Sequence, residues 1–253
     1  METRTTGSRA RGIAFRILGW ILGVLTVGYS FFFVILAVMS SDPANTIHRF
    51  HFAAGFAGGG LIGVFSIAFV QRPDWTSAFH VLVGQAVAWT IGGLMGGDFL
   101  TGIYVTAPIG VIVLALLHPD RRSLLRLPGR PNIALLTYAL IATVPSWIYA
   151  VTEAELQHGP ANDPHVEFHH WSGVAVAALS IAAAAIATSL RGRGWEFANA
   201  ITSVAAILFG LGGLVFSGEA GAPPAAWSWV AIGAGIGFYL LARIEVAREA
   251  PAS

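Results

Sequence analysis

Five histidines lie in two short stretches of this sequence, and each stretch comes where a polar loop meets a long apolar run. Residues 43–55 read PANTIHRFHFAAG, and residues 160–173 read PANDPHVEFHHWSG. The two stretches share their opening letters and a pair of histidines, with one residue fewer between the histidines in the first. Imidazole nitrogens ligate divalent metals and haem iron, so these residue types indicate metal or haem binding.

The second stretch contains a helix-start signal. Asp163 followed by Pro164 predicts an N-cap with proline at the first helical position. We therefore expect one helix that begins in the loop and continues into the apolar run. On that helix His165 and His169 are four residues apart and share a face. Asn45 is the corresponding cap in the first stretch.

The two stretches together define the candidate site. If the two helices meet at a common axis, His51 and His169 converge and form the candidate cofactor-binding pair, for a b-type haem or a divalent metal. Glu153 and Asp98 are acidic residues on the same side that would complete a site. A structural role at the membrane interface and a polar mouth for a substrate are the alternatives. The candidate metal ligands are His48, His51, His165, His169 and His170.

The composition is that of a membrane protein. Of 253 residues, 55% are hydrophobic and 11% are charged, a balance that one soluble domain of this length cannot bury in its core. The absence of cysteine excludes disulfides, thiolate metal ligands, iron–sulfur clusters and covalently attached haem. The absence of lysine excludes retinal attachment through a Schiff base.

Apolar runs of about 20 residues predict an all-α polytopic membrane protein with eight transmembrane helices. If the N-terminus is cytoplasmic, every arginine except Arg49 lies on the cytoplasmic side, as the positive-inside rule requires. We therefore expect a multi-pass protein of the bacterial inner (plasma) membrane with both termini in the cytoplasm. The predicted spans are 13–39, 50–70, 75–96, 100–117, 132–151, 171–190, 197–216 and 227–242.

Matching motifs in the two halves predict an internal duplication. Besides the histidine stretches, Trp75 corresponds to Trp195, and a Gly-Gly pair followed by Asp98 corresponds to a Gly-Gly pair followed by Glu219. The predicted repeats are residues 1–125 and 126–253, each with four transmembrane helices. Because four is an even number, both copies share one orientation, and the expected pseudo-twofold axis runs along the membrane normal.

Small residues predict where the helices pack. Gly55, Gly59 and Gly63 recur every fourth residue on the second span, directly below His51, and the sixth span repeats the pattern below His169. Since lipid competes for large apolar surfaces, small residues at this spacing favour close helix contacts. We expect the stripe to be one packing face.

Other functions lack their usual motifs. No ionisable residue lies near the middle of any predicted span, which disfavours ion-coupled transport. Phosphate-binding glycine loops, metalloprotease helices and nucleophile elbows are also missing, so an enzyme is not favoured. The alternatives to metal or haem binding are a passive carrier or channel for a small or lipidic molecule and a structural partner of a membrane complex. We expect lipid and other membrane subunits as partners, and no nucleic acid.

Two family resemblances follow from these motifs. Asn45, His48 and Arg49 before a glycine-rich span, Arg72 in the next turn and a later Gly-Gly pair make each half similar to the uncharacterised four-helix DoxX-like bacterial membrane families. That resemblance implies a fold and little about function. The eight-span architecture with outer-side histidines resembles haem A synthase, which implies haem ligation. That family pairs histidines on the second and fourth helices of each half, whereas spans four and eight of this chain have no outer-side histidine.

Overall fold

A computed structural model describes residues 6–39, 42, 46–100, 103–124 and 131–249, and the regular elements of these residues are all helices. A short 3₁₀ turn, Ile103–Val105, leads directly into the fourth helix. Asn45 lies outside the described residues. The helices are α1 (Thr6–Met39), α2 (Arg49–Gln71), α3 (Thr76–Met95), α4 (Thr106–Leu117), α5 (Arg121–Leu124), α6 (Ile133–Leu156), α7 (Pro164–Glu167), α8 (His170–Ser189), α9 (Trp195–Val215) and α10 (Ala225–Glu249).

Seven helices of the described chain are long and apolar enough to cross a bilayer, which makes this an integral multi-pass membrane protein. They are α1, α2, α3, α6, α8, α9 and α10. The fourth predicted span corresponds to the shorter apolar segment Ile103–Leu117. At 1.5 Å per residue this segment is roughly 22 Å long, less than the ~30 Å hydrocarbon core. Eight crossings therefore stay a prediction.

Helices α2 and α8 form the centre of the bundle. The most apolar window of α2 is 61% buried and that of α8 is 78% buried, whereas the corresponding windows of α1 and α6 are each only 17% buried. Helix α1 packs on α2, α6 packs on α8, α3 packs on α8, and α9 contacts both α2 and α10. Lipid therefore faces mainly the outer helices, and the two histidine-bearing helix starts lie together at the centre.

The predicted glycine stripe on α2 serves two purposes in the structure. A Cβ at Gly63 would lie 2.9 Å from the backbone nitrogen of Val27, so this glycine of the stripe allows a close helix contact. Gly58, which lies outside the predicted stripe, does the same, because a Cβ there would lie 2.8 Å from Cα of Ala177. Gly55 has nothing within 4 Å of the same position. The prediction of a single packing face was therefore wrong for Gly55, which borders open space.

An acidic residue from each half of the chain contacts a central helix of the other half. Glu219, which follows α9, accepts a hydrogen bond from the backbone N–H of Phe50 in the first turn of α2, at 3.1 Å. Asp98, which follows α3, accepts a hydrogen bond from the hydroxyl of Ser172 in the first turn of α8. Both carboxylates lie where the helix dipole favours negative charge. The duplicated motifs predict this correspondence, and the repeat itself stays a prediction.

Candidate metal centre

The loop before α8 does not continue the helix, so the prediction of one helix through His165 and His169 was wrong. Asp163 is the N-cap of α7 and Pro164 is its first residue, as predicted. Helix α7 ends at Glu167, and His169 adopts a left-handed backbone conformation with φ of 58°. The phenolic hydroxyl of Tyr104 donates a 2.7 Å hydrogen bond to the carbonyl of His169 at this break. The break turns His165 and His169 away from a common face.

Three histidines converge at the start of α2. His48 is the N-cap residue of α2, His51 lies in its first turn, and His165 comes from α7. One ligand nitrogen from each of the three lies within 4.8 Å of the other two. All three residues are buried, and each is less than a tenth exposed. Buried imidazoles this close together have the geometry of a metal site before metal binding.

His170 packs against these three histidines. Its Nδ1 lies 2.9 Å from Nδ1 of His48, and its ring centroid lies 5.3 Å from that of His51. A contact of 2.9 Å between two imidazole nitrogens requires a proton on one nitrogen and a lone pair on the other. Trp171 covers the group from one side, with ring centroids 5.1 Å from His51 and 4.9 Å from His165.

His169, a predicted partner of His51, turns towards Asp98. Its Nδ1 lies 2.8 Å from Oδ1 of Asp98, close enough for an ion pair when the ring is protonated. The described residues show no ring contact between His169 and the other four histidines. The structure therefore brings together four of the five predicted metal ligands, and it leaves His169 at the edge of the group.

Asp163 fixes the orientation of His165. The carboxylate lies 2.8 Å from Nδ1 of His165 and also accepts a hydrogen bond from its backbone N–H. Burial raises the pKa of Asp163, but these hydrogen bonds outweigh burial and lower it. A carboxylate that holds one ring nitrogen of a histidine is typical of metal sites, where it directs the other nitrogen at the ion. Nε2, now 3.2 Å from the carbonyl oxygen of Ile47, is that nitrogen.

The surroundings of His48 disfavour its charged form. Burial and, to a smaller extent, the neighbouring His165 lower the pKa of His48 to about 4, while Asp163 opposes the change. Neither ring nitrogen of His51 has a hydrogen-bond partner among the described residues. Neutral imidazoles with free lone pairs are the form that binds metals.

Glu153 lies beside the histidines and was only loosely indicated by the sequence. It comes from α6, is buried, and its Oε2 has no hydrogen-bond partner among the described residues. A Cβ at Gly221, a residue with φ of 74°, would lie 3.1 Å from this oxygen and 3.2 Å from Nε2 of His51. Only a glycine leaves the space between these two groups open. In the sequence, the small residues that follow Glu219 are the signal for this open space at Gly221.

A cavity of about 450 Å³ extends from the histidines towards the middle of the bundle. Its walls come from α1, α2, α8 and the segment Ile103–Leu117, and the sequence did not predict it. His51, His169 and His170 border it, whereas His48 and His165 do not. Trp89 also borders the cavity, and the described residues offer no acceptor to its indole N–H.

Comparisons of the chain with protein-family models, with curated proteins and with solved structures found no match. The resemblances to the DoxX-like families and to haem A synthase therefore stay predictions. The arguments on function that follow rest on the geometry of the site.

Proposed function

We propose that this protein binds a divalent transition-metal ion on the outer side of a bacterial plasma membrane, through His48, His51, His165 and His170. The observation that carries the proposal is the convergence of three buried imidazoles whose ligand atoms lie within 4.8 Å of one another. The distribution of arginine supports the orientation, with both termini in the cytoplasm.

The energetics of burial support an ion at this position. A buried polar atom without a partner costs about 1–3 kcal/mol, and His51 has two such atoms. A metal ion would accept lone pairs from these rings and offset that cost. Tetrahedral zinc with Zn–N bonds of about 2.05 Å places its ligand atoms ~3.4 Å apart. The most widely spaced ligand atoms, now within 4.8 Å, would approach by up to about 1.4 Å on binding, which side-chain rotation provides.

The chemistry of the ligands selects the class of metal. Imidazole nitrogens suit zinc, copper, iron and nickel, whereas magnesium and calcium prefer oxygen. A b-type haem fits less well. Ring centroids of His51 and His165 lie only 4.8 Å apart, so the rings are in contact and leave no slot for a porphyrin. The His51 and His169 pair of the haem hypothesis is also separated, because His169 faces Asp98.

Metal analysis of the purified protein tests this proposal. We expect about one equivalent of zinc, copper, iron or nickel per chain after purification or after loading with Zn²⁺ or Co²⁺. His48→Gln and His165→Gln should each lower the affinity for Zn²⁺ by 10-fold or more. His169→Gln is the matched control, since it lies in the same loop and outside the group, and it should retain the metal.

Two results would overturn the proposal. One is a protein that takes up neither Zn²⁺ nor Co²⁺ after dialysis. The other is a loss of binding in His169→Gln equal to that in His48→Gln. An absorption spectrum with a Soret band would favour the haem alternative instead.

A second candidate function is carriage of a small or lipidic molecule, and the cavity of about 450 Å³ is the observation that favours it. This volume lies within the range of ligand pockets, roughly 300–1,000 Å³. Its mouth and lining decide which molecule would fit.

A further inference from the structure

The cavity beneath the histidines opens towards lipid. Its wall includes Leu25 and Tyr29 of α1 and Ile103 of the 3₁₀ turn, and these side chains are 66%, 53% and 48% exposed. Helix α1 is one of the least buried spans, so its free face meets the bilayer. A molecule dissolved in the membrane would reach the cavity between α1 and the 3₁₀ turn without crossing water.

The lining of the cavity excludes charge. Among the described residues that line it there is no Asp, Glu or Arg. A charged ligand would lose its hydration without gaining a partner of opposite charge, which is costly in this environment. The ligand that fits is therefore neutral as well as lipid-soluble.

Aromatic rings lie together at the histidine end. The rings of Trp89 and Tyr104 have centroids 5.9 Å apart, and the Tyr104 hydroxyl bonds the carbonyl of His169. The indole nitrogen of Trp89 is itself buried, so Trp89 presents its ring to the cavity and not its N–H. Aromatic walls favour a flat ring.

We propose that this cavity binds a neutral, lipid-soluble molecule with a flat ring, as a quinone has. The ring lies against the aromatic side chains, and the apolar tail leaves between α1 and the 3₁₀ turn. This inference names the ligand class for the second candidate function. His51 and His170 border the cavity, whereas His48 and His165 lie outside its lining, so variants of the latter two separate this site from the metal site.

Gly55 provides a direct test. A Cβ at this position meets nothing within 4 Å, and the residue borders the cavity, so Gly55→Leu fills the cavity without a backbone clash. Gly60→Leu is the matched control, because it lies on the same helix, also has nothing within 4 Å, and does not border the cavity. Both changes raise helix propensity equally, so a difference between them reports on the cavity.

The probe is a short-chain ubiquinone, with binding to the detergent-purified full chain measured by equilibrium dialysis. We expect saturable binding that Gly55→Leu weakens by at least tenfold and that Gly60→Leu leaves unchanged. Trp89→Ala should weaken binding by about fivefold to tenfold, since it removes an aromatic ring from the cavity wall. His165→Gln should lose Zn²⁺ and keep the quinone, which separates this site from the metal site.

The absence of saturable binding, or equal binding by Gly55→Leu and the parent protein, would overturn the proposal. A long-chain fatty acid tests the charge argument. If the fatty acid binds as tightly as the quinone and Gly55→Leu blocks its binding, the proposed neutral ligand class is wrong. The second candidate function, carriage of a lipidic molecule, would still be supported. If neither molecule binds, both fail.

Discussion

The contact between Gly58 on α2 and Ala177 on α8 controls how closely the two central helices approach. A methyl group at Gly58 would lie 2.8 Å from Cα of Ala177, and ordinary contacts of this kind begin at 3.4 Å. The obstructing atom is backbone, so the helices themselves must separate by at least about 0.6 Å. Overpacking of this kind costs about 1–3 kcal/mol.

Gly58→Ala should therefore destabilise the protein although alanine is the better helix former. The gain in helix propensity is about 0.5–1 kcal/mol. Subtracting it from the overpacking cost leaves a net loss of up to about 2.5 kcal/mol, with a midpoint of about 1 kcal/mol. Gly60→Ala receives the same gain without a clash, because nothing lies within 4 Å of its Cβ position. We expect Gly60→Ala to be slightly more stable than the parent protein.

The same change should weaken metal binding. Helix α2 carries His51 about 10 Å above Gly58, and α8 begins at His170. Because the ligand atoms must already move towards one another to bind an ion, a further separation of the helices by about 0.6 Å should lower Zn²⁺ affinity by roughly tenfold.

Both effects are measurable in detergent. Unfolding of the two variants in mixed micelles, followed by circular dichroism, gives stability, and titration with Zn²⁺ gives affinity. If Gly58→Ala is as stable as Gly60→Ala and binds Zn²⁺ equally well, the close approach of α2 and α8 at this point is refuted.

Three further predictions concern pH, capping and topology. Burial lowers the pKa of His48 from 6.5 to about 4, so the unfolded chain takes up its proton first as pH falls. The free energy of unfolding should therefore decrease between pH 6.5 and 4, by at most about 1.4 kcal/mol per pH unit for this group. His48→Gln should flatten this pH dependence in chemical unfolding. Glu219→Gln should cost about 1 kcal/mol in the same assay, because it removes the charge that accepts the N–H of Phe50. The chain has no cysteine, so in intact cells Asn162→Cys should react with an impermeant maleimide and Ser123→Cys should not.

Each of these predictions has its own control and contrary outcome. A pH profile unchanged by His48→Gln would show that His48 is not protected from protonation. Glu155→Gln is the control for capping, since Glu155 is an exposed carboxylate on the same side; equal stability of the two variants would remove the capping role. Labelling of Ser123→Cys in intact cells would place the α5 loop outside, which would mean that the Ile103–Leu117 segment does not cross the membrane.

The long apolar helices and the N-cap at Asp163 could be predicted from the sequence. The membrane class follows from segments such as 171–190, which the structure shows as the buried helix α8. The cap at Asp163 follows from local hydrogen bonding, which needs no tertiary information. Both features depend on residues close together in the chain.

The helix break at His169 and the cavity could not be predicted, because they depend on contacts between residues far apart in the sequence. Neither Gly nor Pro marks the break at His169, whose left-handed backbone is held by Tyr104, 65 residues away. Helical spacing therefore predicted that His165 and His169 share a face. The turn at His169 instead places His170 beside His165 and the other histidines. The cavity arises where four helices fail to fill a common space, and no single segment indicates such a gap.

Each half of the chain supplies a carboxylate that stabilises the start of a central helix in the other half. Glu219 belongs to the half that follows the 125–130 connection, yet it stabilises α2, and Asp98 belongs to the earlier half, yet it contacts α8. A chain cut at that connection would leave both central helix starts without their carboxylates. The two pieces should therefore be more stable when they are produced together than when either is produced alone.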